Sequence, residues 1–377
     1  MQLICDGGGY AINICLILGT RPEIIKLSPL IRMLESKRFS YFIVHTGQHY
    51  SSFMNDVFFT GLNIPPPRYN LHVGSGSHAE ETGKMLIGIE QVLKKEYPDV
   101  VLVQGDTNTT LAGALAASKL HILLGHVEAG LRSFDRRMPE ELNRIVADHT
   151  SDMLFAPTRV SYSNLKNEGI ESKRIFVTGN TIADAIHLYK DKISAAKVDG
   201  ITAGESYFLC TLHREENVDN PSSLRKIAKG LGLVHDKTGK RIILPLHPRT
   251  EKRLTDYNLS LPKGIEVIKP LDYLTFVRLE SQADLILTDS GGVQEEACIL
   301  RVPCVTLRQN TERPETIRVG ANVLAGTEPD SILEKAIVML KRDRNWPNPF
   351  GNGRASAKIL KIINEKMKEQ QHSNELL

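Results

Sequence analysis

Residues 100–132 read VVLVQGDTNTTLAGALAASKLHILLGHVEAGLR. Val100–Gln104 and Ile122–Val127 are short apolar runs that carry β-branched residues, each followed by a turn or cap residue. Between them Asp106 or Thr107 is placed to cap a helix, so the stretch reads as strand, helix, strand. The same alternation extends both ways. Strands are expected at Ile12–Leu18, Tyr41–Thr46, Met153–Ala156 and Arg174–Thr178, with helices at Ile24–Glu35 and Glu80–Glu96. Such β-α alternation predicts a parallel, doubly wound α/β sheet. Lys190–Ser206 is polar, rich in small residues, and breaks the pattern. A second series follows at Tyr207–Leu212, Arg241–Leu246, Ile265–Ile268, Asp284–Thr288 and Pro303–Leu307. Two domains are therefore expected, residues 1–189 and 190–354, joined near 185–206. Ser356–Lys368 reads as a last helix, with a frayed tail after Glu369.

Composition narrows the function. The 377 residues suit two domains at roughly 100–200 residues each. Hydrophobic residues make up 41% and charged residues 24%, which fits a globular chain rather than a disordered or fibrous one. A formal net charge of +3 with no basic block argues against a nucleic-acid partner. The longest apolar stretches, such as Ile14–Leu18, fall far short of the roughly 20 residues that span a bilayer. Five cysteines without a C-x-x-C spacing exclude a disulfide framework and a zinc cluster; Cys15 and Cys210, in strand-like runs, read as buried thiols. No signal peptide is expected and the reduced cytoplasm is the predicted compartment. Met1–Tyr10 looks like an extension before the first strand.

In doubly wound sheets ligands sit beyond the carboxyl ends of the strands. After the first strand comes Gly19-Thr20-Arg21-Pro22-Glu23, then a helix carrying Lys26. Pro22 fits the first helical position, and Arg21 and Lys26 make a cationic corner at a helix N-terminus that favours anions. Asp106 follows one strand and Glu128 another, and Glu140 opens the helix that carries Asn143 and Arg144. Singly these acids read as caps and dipole partners; converging, they make a general acid–base site. The second series ends its strands differently, in His213-Arg214, in His247-Pro248-Arg249, and in Asp289-Ser290-Gly291-Gly292. Serine and two glycines at a helix start let backbone N–H groups approach a phosphate. Glu295 or Glu296, one turn on, is placed to accept ribose hydroxyls, and Arg313 is a further anion ligand. No Gly-x-Gly-x-x-Gly follows the first strand, so bound NAD has no support. A P-loop motif and a His-Glu-x-x-His metal motif are also lacking, so no cofactor and no metal are expected.

Gly19–Glu23, Gly105–Thr107, Gly125–Arg132, Pro139–Arg144, Thr178–Thr181, Asp289–Glu296 and Thr311–Glu315 run in an order that closely resembles the non-hydrolysing UDP-N-acetylglucosamine 2-epimerases. The resemblance covers about residues 12–365. It implies the glycosyltransferase-B-like fold, with two Rossmann-like domains, a deep interdomain cleft, and a C-terminal helix (about 355–377) returning to the first domain. It also implies interconversion of UDP-N-acetylglucosamine and UDP-N-acetylmannosamine by a homodimer, feeding cell-surface glycan synthesis. UDP leaves C1 as the C2 proton is taken, giving 2-acetamidoglucal, and then adds back with protonation on the opposite face. By the resemblance Asp106, Glu128 and Glu140 are the acids, His213 assists the leaving UDP, and Lys26 supports the acids. Arg21, His247, Ser290, Gly291, Gly292, Glu296 and Arg313 hold UDP, and Phe276 lines the uracil pocket.

Bacterial members often carry an allosteric second substrate molecule on a Gln-His-Arg-Gln/Glu-type segment. Here the segment reads Gln48-His49-Tyr50-Ser51-Ser52: Gln48 and His49 match and the following side chains differ. Three rival readings use the same residues. A hydrolysing epimerase releases N-acetylmannosamine and UDP. A glycosyltransferase on this fold leaves the three acids redundant, and a nucleotide-sugar sensor has no use for the acids or His213.

Overall fold

The computed structural model describes residues 12–47, 58–202 and 204–375. The chain forms two compact units, residues 1–188 with 350–377, and residues 189–349.

The first unit holds a seven-stranded parallel sheet: β1 (Asn13–Leu18), β2 (Ser40–His45), β3 (Tyr69–Asn70), β4 (Val100–Gln104), β5 (Leu123–Val127), β6 (Met153–Ala156) and β7 (Ile175–Val177), in the order β3-β2-β1-β4-β5-β6-β7. The chain works outward from β1 on one side, then crosses back to lay down β4–β7 on the other. The order reverses between β1 and β4, the switch point where such sheets bind ligands. β1 and β4 are buried along their length, as both-face helix cover requires.

The second unit repeats the plan with β8 (Phe208–Thr211), β9 (Ile242–Pro245), β10 (Ile265–Ile268), β11 (Leu285–Thr288), β12 (Cys304–Thr306) and β13 (Asn322–Leu324), in the order β10-β9-β8-β11-β12-β13. Its switch point lies between β8 and β11. Alternate residues feed opposite faces: Phe208, Cys210, Ile242, Leu244, Leu285 and Leu287 pack into one apolar cluster, while Leu209, Ile243 and Ile286 pack into the other.

Every strand expected from sequence is present; β3 and β13, of two and three residues, were too short to carry a period. Lys190–Ser206 is not wholly irregular: Lys190–Ala195 is a helix that buries Ile193 and packs against the helix Tyr273–Gln282. The last helix, Ala355–Glu375, packs in the first unit against the helices Arg21–Ser36 and Thr181–Leu188. Its first N–H groups are satisfied by Asp184, whose carboxylate accepts from Ala355 N at 3.0 Å and Ser356 N at 2.7 Å. Cys15 and Cys210 are buried free thiols.

Candidate active site

In the first unit the site grows from the carboxyl ends of β1, β4 and β5. The helix after β1 is Arg21–Ser36, with Thr20 as its cap, so Pro22 is the second helical residue rather than the first. Its missing N–H is still one the helix leaves unused. Gly19, at the switch point, has no room for a side chain, because a Cβ there would collide with Thr46 and Thr109. Glu23 is fully buried and braces this turn. One oxygen accepts from the N–H groups of Gly19 and Thr20 at 2.7 Å, the other from Thr107 Oγ1 at 2.5 Å. Arg21 stacks 5.0 Å from the Phe58 ring centroid.

The helix Asn108–Lys119 is capped by Thr107, whose hydroxyl accepts from Thr110 N. The cap reading of Asp106 therefore falls away: its carboxylate meets the Arg144 guanidinium instead. Arg144 also binds the buried Glu141 at 2.5 Å, and Asn143 donates to the Asp106 carbonyl at 3.0 Å. Both come from the helix Pro139–Thr150, whose second residue is Glu140. Glu140 is one turn before Arg144, so the two share a helix face. Glu141, its neighbour, is spent on structure; it accepts from Ser133 N and Phe134 N at 2.9 Å and closes the preceding loop.

Glu128 follows β5 directly. Its backbone lies at φ +73°, a region a non-glycine residue enters only at a cost. Its side chain is buried and gripped by Lys26 Nζ at 2.5 Å and Gln104 Nε2 at 3.0 Å. The register pairs Gln104 with Val127, so Asp106 and Glu128 leave adjacent strands at the same edge. Asp106, Glu128 and Lys26 thus gather on one rim.

In the second unit the site forms at the ends of β8, β9 and β11. Asp289 is fully buried and accepts from the backbone of His213 and Arg214 at 3.0 Å, from Asn217 at 3.3 Å, and from His213 Nδ1 at 3.0 Å. Burial opposes its charge, but His213 and these N–H groups outweigh it and hold the carboxyl below its usual range. Holding His213 through Nδ1 leaves Nε2 for chemistry. The His247 ring lies 5.6 Å from that of His213. His247 caps the helix Pro248–Asp256 by accepting from Arg249 N at 3.2 Å, which leaves its Nε2 as the donor.

Ser290 caps the helix Gly291–Leu300 and opens its N-terminus. Arg313 lies against Gly291, 3.3 Å from where a Cβ would stand, so no larger residue fits without moving the guanidinium. Glu295 binds Arg313 at 2.8 Å, and Glu312 lies 3.8 Å from the same side chain. Glu296 instead abuts Glu280 of the helix Tyr273–Gln282. Glu280 is fully buried, and its two oxygens meet no hydrogen-bond donor among the described residues. Burial, and then the Glu296 carboxylate, pushes the Glu280 carboxyl far above its usual range, which favours its neutral form. Phe276 is half-buried in the apolar cluster with Ile268 and Leu271. Gln48 and His49 lie outside the described residues.

Sequence reading missed Gln104, Arg144 and Asp289 as working parts, although Gln104 and Asp289 stand at strand ends, where the carboxyl-end rule points. It also passed over Asp148, in the last turn of the helix Pro139–Thr150, which carries no local signal. Among the described residues no cluster of His, Cys, Asp and Glu is arranged to hold a metal, and no helix is long and apolar enough to cross a membrane.

Comparison with known proteins agrees with this plan. Residues 32–364 match the family model described as UDP-N-acetylglucosamine 2-epimerase. A protein of that name from Methanocaldococcus jannaschii is 56% identical, covering 93% of this chain and 98% of the relative. The crystal structure of a UDP-GlcNAc 2-epimerase from the same organism, in complex with UDP-GlcNAc and UDP, superposes with a TM-score of 0.89 at 55% identity, covering 94% of this chain and all of that one. The UDP-2,3-diacetamido-2,3-dideoxy-D-glucuronate 2-epimerase of Pseudomonas aeruginosa is 44% identical, over 93% of this chain and 99% of that one. The fold is accordingly of the glycosyltransferase-B-like kind shared by these neighbours, and the chain belongs to the UDP-N-acetylglucosamine 2-epimerase family of carbohydrate epimerases.

Proposed function

We propose that this enzyme interconverts UDP-N-acetylglucosamine and UDP-N-acetylmannosamine without net hydrolysis. A carboxylate of the first unit takes the C2 proton while the C1–O bond to UDP breaks, and the bonding pair leaves with the diphosphate. A C1=C2 double bond forms, giving 2-acetamidoglucal. UDP oxygen then re-adds to C1 as C2 receives a proton on the opposite face. The observation that carries this reading is Glu128, held in a strained backbone conformation and gripped by Lys26 and Gln104 beside Asp106. Strain at a buried, charge-paired carboxylate is expected where a group is placed for chemistry.

The roles divide between the units. Asp106, Glu128 and Glu140 handle protons, with Lys26 fixing Glu128. His213, oriented by Asp289, steadies the departing diphosphate together with His247 and the N-terminus opened by Ser290, Gly291 and Gly292. Arg21 and Arg313 add anion contacts, Glu296 takes ribose hydroxyls, and Phe276 flanks the uracil. Phe276 rests on the family resemblance alone, as do homodimeric assembly and cytoplasmic residence. Light scattering of the purified protein tests the assembly.

The test of the reaction is product analysis after incubation with UDP-N-acetylglucosamine. A mixture of the two nucleotide sugars with little free UDP is the expected result. Stoichiometric UDP and N-acetylmannosamine would assign the hydrolysing reaction instead.

A further inference from the structure

We propose that His126 is a positioning residue for Asp106 and Glu128, carrying a hydrogen on both ring nitrogens and tying the ends of β4 and β5 together. The inference rests on the acid–base reading of those two carboxylates. His126 lies on β5, fully buried. Its Nδ1 is 2.7 Å from Asp148 Oδ1, and its Nε2 is 2.8 Å from the Gly105 carbonyl oxygen. A carboxylate and a carbonyl only accept, so each contact needs an N–H on the ring. A ring with one bare nitrogen would press a lone pair against an acceptor where both side chains are fully buried.

The surroundings balance the charge this implies. Asp148 also accepts from Arg132 at 2.7 Å and from Gly130 N at 3.1 Å. Arg132 in turn holds Glu168 through two bonds of 2.7 Å. Two cations and two anions form one chain, buried from His126 through Asp148 to Arg132 and reaching the partly exposed Glu168 at its end. Burial works against the Asp148 charge, but His126 and Arg132 outweigh it and keep its carboxyl below the usual range.

The consequence falls on the reacting groups. Gly105 immediately precedes Asp106, and its N–H is already bound to Val127 O at 3.1 Å. His126 fixes the other end of that residue. Gly130 follows Glu128 by two positions, and Asp148 fixes its N–H. One ring and its partner carboxylate thus hold the backbone on both sides of the acid rim. Acids that exchange a proton with one carbon need placement to a fraction of an ångström.

Two variants separate positioning from mere packing. In His126→Gln the amide nitrogen reaches the place of Nε2, keeping the Gly105 bond and losing Asp148. In His126→Asn it reaches the place of Nδ1, keeping Asp148 and losing Gly105. The expected result is that His126→Asn loses about 100-fold in kcat and His126→Gln about tenfold or less. UDP affinity, assigned to the other unit and to Arg21, stays unchanged in both. A structural ion-pair role predicts the reverse order, with activity following melting temperature and His126→Gln the worse; that result overturns the proposal. The wild-type protein supplies a second readout should either variant fail to fold. In ¹⁵N-histidine NMR the slowest-exchanging imidazole must show protons on both nitrogens, and one bare nitrogen overturns the proposal. Wild-type protein lacking epimerase turnover would instead count against the acid–base reading, leaving the NMR result to stand on its own.

Discussion

Asp289→Asn tests how the second unit arms His213. The carboxylate takes four donors: His213 N, Arg214 N, Asn217 Nδ2 and His213 Nδ1. An asparagine whose oxygen keeps the Arg214 and Asn217 bonds must turn its NH₂ toward His213. Nδ1 then has to give up its hydrogen and accept, and the ring loses its ion-pair partner. A hydrogen bond between charged groups contributes about 1.5–3 kcal/mol. At about 1.4 kcal/mol per tenfold, kcat should fall about 10- to 150-fold. UDP affinity should hold, because Ser290 and the helix start behind it are untouched. Steady-state kinetics with calorimetric UDP titration reads both. Stability supplies a check on the sign. The folded Asp289 carboxyl lies below its ordinary value of 3.8, so its contribution is present above that pH and is lost as pH falls through the folded value. Wild type should therefore exceed the variant in stability at neutral pH, and the gap should close in acid. A kcat within about threefold of wild type would refute the orienting role.

Other perturbations probe other parts of the site. Asp106→Asn should lower turnover at least about 100-fold while UDP binds as before, and a parallel loss of UDP affinity would contradict the division of labour between the units. Gly291→Ala puts a Cβ 3.3 Å from the Arg313 guanidinium, so UDP affinity should fall about tenfold with little change in melting temperature. Unchanged UDP affinity would remove Arg313 from the cradle. Glu280 releases its proton near 4.5 when unfolded but keeps it when folded to far higher pH. The unfolded state then binds fewer protons, so stability falls as pH rises, by about 1.4 kcal/mol per pH unit from this group. Glu280→Gln should flatten that slope and exceed wild type in urea midpoint at about pH 8, whereas parallel curves would mean Glu280 is ionised.

Much of this architecture is written in local pattern. β4 and β5 are legible because each is a short, largely apolar run closed by a glycine or an acid, and strands buried on both faces need no partner to be recognised. β3 and β13 are not, since two or three residues hold no period and gain their pairing from the strand beside them. The rim residues Asp106 and Glu128 are legible from the carboxyl-end rule alone. Their handling is not. That Thr107 takes the cap and releases Asp106 to Arg144 depends on a helix more than 30 residues away in sequence. The same holds for Glu128, whose positive φ has no signature in Val127-Glu128-Ala129, and for Glu280, whose protonation is set by a neighbouring helix. Sequence periodicity encodes what is near in the chain; charge pairing across helices is a tertiary property.

The central claim is that carboxylates of the first unit exchange the C2 proton as UDP leaves. Its most direct test is a proton NMR time course with UDP-N-acetylglucosamine in deuterated water. The account predicts UDP-N-acetylmannosamine carrying deuterium at C2, with the C2 proton of the starting sugar also washing out as the reaction reverses. Epimer that retains its original C2 hydrogen would contradict the elimination and the role assigned to the acids.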